Sequence, residues 1–93
     1  MINGYTFIKT ENGREIMFSQ RGTISVHDIE SSSISSLWYS PSTSKLQVTF
    51  KNGTEYGYAG VALGEFFMMM NAESVGSFFA KNIRNKYPTE KLD

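Results

Sequence analysis

The chain has 93 residues, with nine basic and nine acidic side chains and no formal net charge, so the basic excess of a surface that grips many phosphates of a long nucleic acid is missing. Apolar residues make up 40%, including seven Phe and five Tyr, enough for the core of one domain of modest stability and too many for a disordered chain. The lack of cysteine excludes disulfides and thiolate metal sites. No apolar run approaches the ~20 residues of a membrane span, and the opening MINGYTFIKTENG has no basic region followed by an apolar core of the kind an export signal needs. The expectation is a soluble protein of the cytoplasm, or of the host cytoplasm if the protein is viral.

Taken in order, Tyr5, Phe7 and Ile8 predict a short strand, and Glu11-Asn12-Gly13 a turn. Arg14 to Ser19 predicts a second strand with Ile16 and Phe18 on one face. Gln20-Arg21-Gly22 turns the chain again, and Ile24 and Val26 alternate with Ser25 and His27. The serine-rich ESSSISS that follows reads as an extended approach to a strand over roughly Ile34 to Tyr39. On that strand Trp38 and Tyr39 point to opposite faces, so one belongs to the core and the other is a candidate surface aromatic. Ser40-Pro41-Ser42-Thr43-Ser44 ends it, because proline removes a donor and serines favour local turns.

KLQVTFKNGTEYGY, residues 45–58, is the clearest hairpin. Leu46, Val48 and Phe50 alternate with Gln47 and Thr49, and Asn52-Gly53 is the dipeptide favoured in a type I′ turn. Tyr56 and Tyr58, two apart, leave the next strand on one face. Leu63, Phe66, Phe67 and Met70 then fall at helical spacing, with Glu65 in the first turn, where a negative charge suits the helix dipole. Ser74 caps a second predicted helix from Val75 to about Asn85, whose apolar stripe is Val75, Phe78, Phe79 and Ile83. The fold class is α+β: an antiparallel β-meander of about five to six strands followed by two short α-helices packed on one face.

From about residue 31 to 92 the sequence resembles the KTSC domain family, named for its occurrence at the C-terminus of some lysyl-tRNA synthetases. SSSISSLWYSP, LQVTFKNGTEYGY, AGV and NAESVGSFFAKNIRNKYP occur in the family's order. Tyr56-Gly57-Tyr58 matches its central element; Ala72, Ser74 and Gly76, with Phe79, Ile83 and Arg84 behind them, match its second helix. Ala62 departs from it, since the family tends to open its first helix with proline. Residues 1–30 lie outside the resemblance and read as an added hairpin or meander, residues 31–93 as the KTSC-like part of one compact domain. The resemblance implies no established activity; RNA binding is the usual suggestion.

The residues themselves offer several candidate sites. Ser74, Gly76 and Ser77 would leave free N–H groups at a helix start, suited to a phosphate, against the plainer reading of an ordinary capped helix. Lys81, Asn82 and Arg84, with Lys86, could add charge and base recognition, Arg84 being the best bidentate donor, or could simply be a solvated helix end. Tyr56 and Tyr58 could stack on bases or pack beneath a helix. Phe66, Phe67, Met69 and Met70, in a run apolar nearly all round, suggest an oligomer interface. His27 has no second histidine and no oriented nucleophile, so neither a catalytic nor a metal site is expected, and no cofactor. The sequence therefore points to a non-catalytic binder of a small phosphorylated nucleotide, such as a cyclic nucleotide signal sequestered by a homo-oligomer, as in phage counter-defence. An RNA-binding module and a structural or protein-interaction domain are the alternatives.

Overall fold

The computed structural model describes residues 6–10, 13–27 and 29–92. The expected turn residues Glu11 and Asn12, the strand start at Tyr5 and the neighbour of His27, Asp28, lie outside them. The chain first lays down β1 (Thr6–Lys9), β2 (Glu15–Phe18) and β3 (Ile24–Val26), then β4 (Ile34–Ser40), β5 (Lys45–Phe50) and β6 (Glu55–Ala59). Helices α1 (Leu63–Met70) and α2 (Val75–Asn82) follow, and a last strand, β7 (Thr89–Lys91), returns to the sheet. Each strand pairs antiparallel with its neighbour in sequence, in the order β1 to β7. β7 is a correction to the expected order, in which the helices came last. Three polar or charged residues after a proline carry no strand periodicity, and only the open edge of β6 makes them a strand.

The β5–β6 turn is not of type I′. At the β5–β6 turn the Gly53 N–H bonds the Phe50 carbonyl and the Phe50 N–H bonds the Thr54 carbonyl, both at 2.9 Å. Gly53 has φ of 92°, whereas Asn52 does not enter the left-handed region. This is a three-residue loop, a tight turn closed by a glycine in the left-handed region, and Asn52 serves it through its side chain: Oδ1 accepts from the Thr54 N–H at 3.0 Å. Gly13 and Gly22 make the same pair of bonds in the β1–β2 and β2–β3 turns. A two-residue loop would have changed the register by one and turned every core side chain outward.

One face of the sheet takes the core. Ile24, Tyr39, Leu46 and Tyr58 form a cross-strand row, and Val26, Leu37, Val48 and Tyr56 form the next. A register shift between Ile34 and Ser36 lets both Ile34 and Leu37 face inward although they are three apart. Tyr39 is the core member of the aromatic pair on β4; Trp38 lies on the opposite, helix-free face and is half-buried. The Tyr39 ring stacks on Phe66 of α1 at 4.8 Å and 12°, and its hydroxyl donates to the Val61 carbonyl at 2.5 Å. Tyr87 in turn donates its hydroxyl to the Glu65 carboxylate, which, with burial, pushes the Tyr87 pKa up. The bond fixes α1 from its outer side.

The oligomer reading of α1 needs correction residue by residue. Phe66, Met69 and Met70 are 0% exposed within the single chain. Tyr39 and the neighbouring core absorb them, so they offer no surface to a partner. Phe67 is half-buried, and the exposed member of the run is Met68, at 61%.

β1 and β2 are bound into this packing through Arg14. Its Nη1 donates to the carbonyls of Met70 at 2.7 Å and Ala72 at 2.5 Å, and its Nη2 to that of Glu73 at 3.0 Å. The Met70 carbonyl belongs to the last turn of α1, and those of Ala72 and Glu73 to the connection that follows it. One guanidinium thus ties the first hairpin to the α1–α2 connection.

Candidate functional site

An open cleft of about 910 Å³ lies where the β5–β6 hairpin meets the end of α2. Its aromatic lining comes from strand alternation, which sets Phe50, Tyr56 and Tyr58 on the helix side of the sheet. The rings interlock edge to face: Phe50 meets Tyr56 at 5.9 Å and Phe79 at 5.8 Å, and Phe79 meets Tyr58 at 5.3 Å. Tyr58 is the buried end of this chain, 3% exposed, while Tyr56 stays half-buried and available to a ligand. Burial raises the Tyr58 pKa, and the positive charge of Arg84, which lines the same cleft, opposes that shift.

Arg84 reaches the cleft because α2 stops early. The helix ends at Asn82, about three residues before the expected limit. The N–H groups of Ile83 and Arg84 both bond the Phe79 carbonyl, and the Asn82 side-chain amide bonds the Phe78 carbonyl, so the last turn widens and the helix ends. Ile83 drops into the core at 0% exposure, and Arg84 and Asn85 turn over the sheet. Across the opening, the Lys51 N–H bonds the Ser33 carbonyl at 2.7 Å, which brings the serine-rich loop against the hairpin end and adds Ser32 and Ser33 as a wall. Thr89, the cross-strand partner of Tyr58, closes the far side.

Of the eight residues expected to bind ligand, the cleft gathers Tyr56, Tyr58 and Arg84. Ser74, Gly76, Ser77, Lys81 and Asn82 are outside its lining. The start of α2 is occupied by the chain itself: the Ser77 N–H bonds the Ser74 hydroxyl at 3.1 Å. A Cβ on Gly76 would sit 3.0 Å from Ser31 Oγ, so the room that glycine provides is taken by Ser31 rather than left for a ligand. Ser31 Oγ cannot easily yield, since it accepts from the Ser33 and Ile34 N–H groups at 3.1 Å each. Alanine at 76 would gain up to ~1 kcal/mol of helix propensity but meets this anchored oxygen. The expected result is a double-mutant cycle between Gly76→Ala and Ser31→Gly with a coupling of at least ~0.5 kcal/mol in urea unfolding; additive effects would show that Ser31 does not hold Gly76.

Lys51, Asn52, Thr54, Asn85, Thr89, Phe50 and the two serines escaped the reading of the sequence. Lys51 and Asn52 flank a turn glycine, and nothing local tells that this turn, among similar ones, faces the end of α2. The two cations of the lining, Lys51 and Arg84, are accompanied by no carboxylate, although the whole chain is neutral. Among the described residues Arg84 has no ion-pair partner. The arrangement can hold an anion beside a half-exposed aromatic ring, with amides and hydroxyls around both.

A family model described as the KTSC domain matches residues 30–87. The crystal structure of a KTSC domain protein from Yersinia pestis is similar, with a TM-score of 0.69 and 30% identity, over 77% of this chain and 100% of that one. No curated protein matches. The family match takes in β4 to β6, both helices and Arg84, and leaves β1 to β3 outside it. With the family's model matching more than half of its length and a solved relative spanned from end to end, the chain belongs to the KTSC domain family.

Proposed function

We propose that the cleft at the end of α2 binds a small phosphorylated ligand of the nucleotide class, without catalysis. The observation that carries this reading is a lining with two cations and no carboxylate beside an aromatic wall, in a chain with no net charge. Arg84 and Lys51 take the phosphate, Arg84 through its planar fork. Tyr56 offers a face to the base, and Asn52, Asn85 and Thr89 offer donors and acceptors to its edge or to the sugar. A volume of about 910 Å³ lies within the range of small-molecule sites, at its upper end. The lining has neither imidazole nor carboxylate to serve as a general base, so binding accounts for it better than turnover. A long RNA would need cations that continue beyond the cleft, and the balanced charge of the chain argues against that. The finer reading, a cyclic nucleotide signal withdrawn from solution as phage counter-defence proteins do, rests on the same cleft.

The test is a thermal-shift panel of mononucleotides, cyclic mononucleotides and cyclic dinucleotides, since a ligand of the native state alone raises its stability. At a hundredfold excess over Kd the gain is ~2.7 kcal/mol, a shift of several degrees for a domain of this size. Arg84→Ala is expected to abolish the shift while leaving the unliganded melting temperature within a degree or two, because the guanidinium holds no ion pair among the described residues. An equal shift in Arg84→Ala would sink the phosphate role. Gel retardation of oligonucleotides that weakens steeply with salt, with no response to nucleotides, would favour the RNA reading instead.

A further inference from the structure

We propose that β1 is a self-association edge, on which two copies of the chain pair antiparallel with Ile8 opposite the partner's Ile8. Among the described residues, the seven-stranded meander that runs in order from β1 to β7 has two open edges, and they are unlike. The β7 edge is blunted in the usual way, with three polar or charged residues and an ion pair between Glu90 and Lys45 at 3.7 Å. The β1 edge is apolar: Phe7 is 48% and Ile8 49% exposed, one on each face of the sheet.

The main chain sets the register. Across the hairpin the Thr10 N–H bonds the Arg14 carbonyl at 2.9 Å. Antiparallel pairs alternate between exchanging and not exchanging hydrogen bonds, so Ile8 also bonds inward to β2, and the N–H and carbonyl groups of Phe7 and Lys9 point to the open edge. A two-fold axis normal to the sheet at Ile8 sets Phe7 against the partner's Lys9 and Lys9 against the partner's Phe7. That satisfies all four groups on each copy.

The side chains agree with this pairing. Ile8 meets the partner's Ile8 at the close spacing of a non-exchanging pair, on the side where a groove lined by Ile16, Phe18 and Phe67 continues the core surface. On the other face each Lys9 ammonium lies by the ring of the partner's Phe7 rather than by another cation. An isologous contact of this kind closes on itself, whereas pairing β1 with the charged β7 edge would run on as a fibre. The zero net charge of the chain places no long-range repulsion between copies. The strand is short and its contact small, so the dimer is a concentration-dependent one.

The test is sedimentation velocity on the full chain with no tag at its N-terminus, from low to high micromolar concentration. The apparent mass is expected to rise from 10.5 kDa toward twice that value. Ile8→Lys and Ile8→Glu are each expected to stay monomeric with unchanged circular dichroism, and an equal mixture of the two to recover the dimer. Met68→Lys, at an exposed position of α1, should dimerise like the unmodified chain. A monomer at every concentration overturns the proposal, as does an Ile8→Lys variant that still dimerises. A mixture that stays monomeric overturns the Ile8 register, and dissociation by Met68→Lys alone would move the contact to α1.

Discussion

Replacing Phe66 by Ala is expected to lower the free energy of unfolding by about 3–5 kcal/mol. The ring is 0% exposed, stacks on Tyr39 at 4.8 Å and meets Phe67 edge-on at 5.7 Å, so the change removes apolar burial, two ring contacts and the packing between α1 and the sheet at once. Domains commonly hold only about 5–15 kcal/mol in total, and a chain this short lies toward the low end, so the variant will be close to unfolding at ordinary temperature. Urea denaturation followed by far-ultraviolet circular dichroism measures it. Met68→Ala, two residues on but 61% exposed, is the comparison and should fall within ~0.5 kcal/mol of the unmodified protein. Equal small losses for both would contradict the placement of Phe66 in the core and revive it as a surface residue.

The second large effect belongs to Arg14. Its three bonds to the carbonyls of Met70, Ala72 and Glu73 hold the end of α1 and the connection after it, and removing the guanidinium takes a charged donor from each of them. Bonds to a charged group are worth ~1.5–3 kcal/mol each in favourable cases, but one of these is exposed and the buried Arg14 Nε has no partner among the described residues, which offsets part of the gain. Arg14→Ala is therefore expected to cost about 2–3 kcal/mol. Arg14→Lys should recover little, because an ammonium cannot span three carbonyls as the planar fork does. Hydrogen exchange adds a local reading: amides of α1 and of the first hairpin should lose protection together. The nucleotide response should persist in both variants, since Arg14 does not line the cleft. Loss of exchange protection in the hairpin alone would show that the clasp does not couple it to α1.

Much of the fold is legible in particular stretches of sequence. The alternation of Leu46, Val48 and Phe50, the glycines at 13, 22 and 53, and the helical spacing of Phe66 with Met70 each name an element by its own period. Those signals are local, and hairpins read from them pair next to next, as the sheet does. The turn type was less legible, because Asn-Gly serves both loop geometries and Asn52 settles the matter with a side-chain bond. The resemblance of residues 31–92 to the KTSC family was carried by short motifs that the family match over residues 30–87 spans. The site was legible only in part. Tyr56, Tyr58 and Arg84 converge, whereas Ser74, Gly76 and Ser77 answer to a cap and to Ser31.

By itself the sequence determined the α+β class, the turn positions, the two helices, the neutral charge and the aromatic face of β6. These follow from periods of two and 3.6, from residues that fit left-handed backbone, and from charge, none of which needs a distant neighbour. The tertiary structure alone decided where each half-committed residue went. A helix apolar nearly all round reveals its buried side only when Tyr39 and Glu65 find partners at Phe66 and Tyr87. Three polar residues become β7 only because β6 has an open edge. Lys51 and Arg84 line one cleft only because α2 ends at Ile83, whose burial in the core carries the next residue over the sheet. Burial and edge pairing are properties of surfaces that meet across the chain, and no local pattern encodes which surfaces those are.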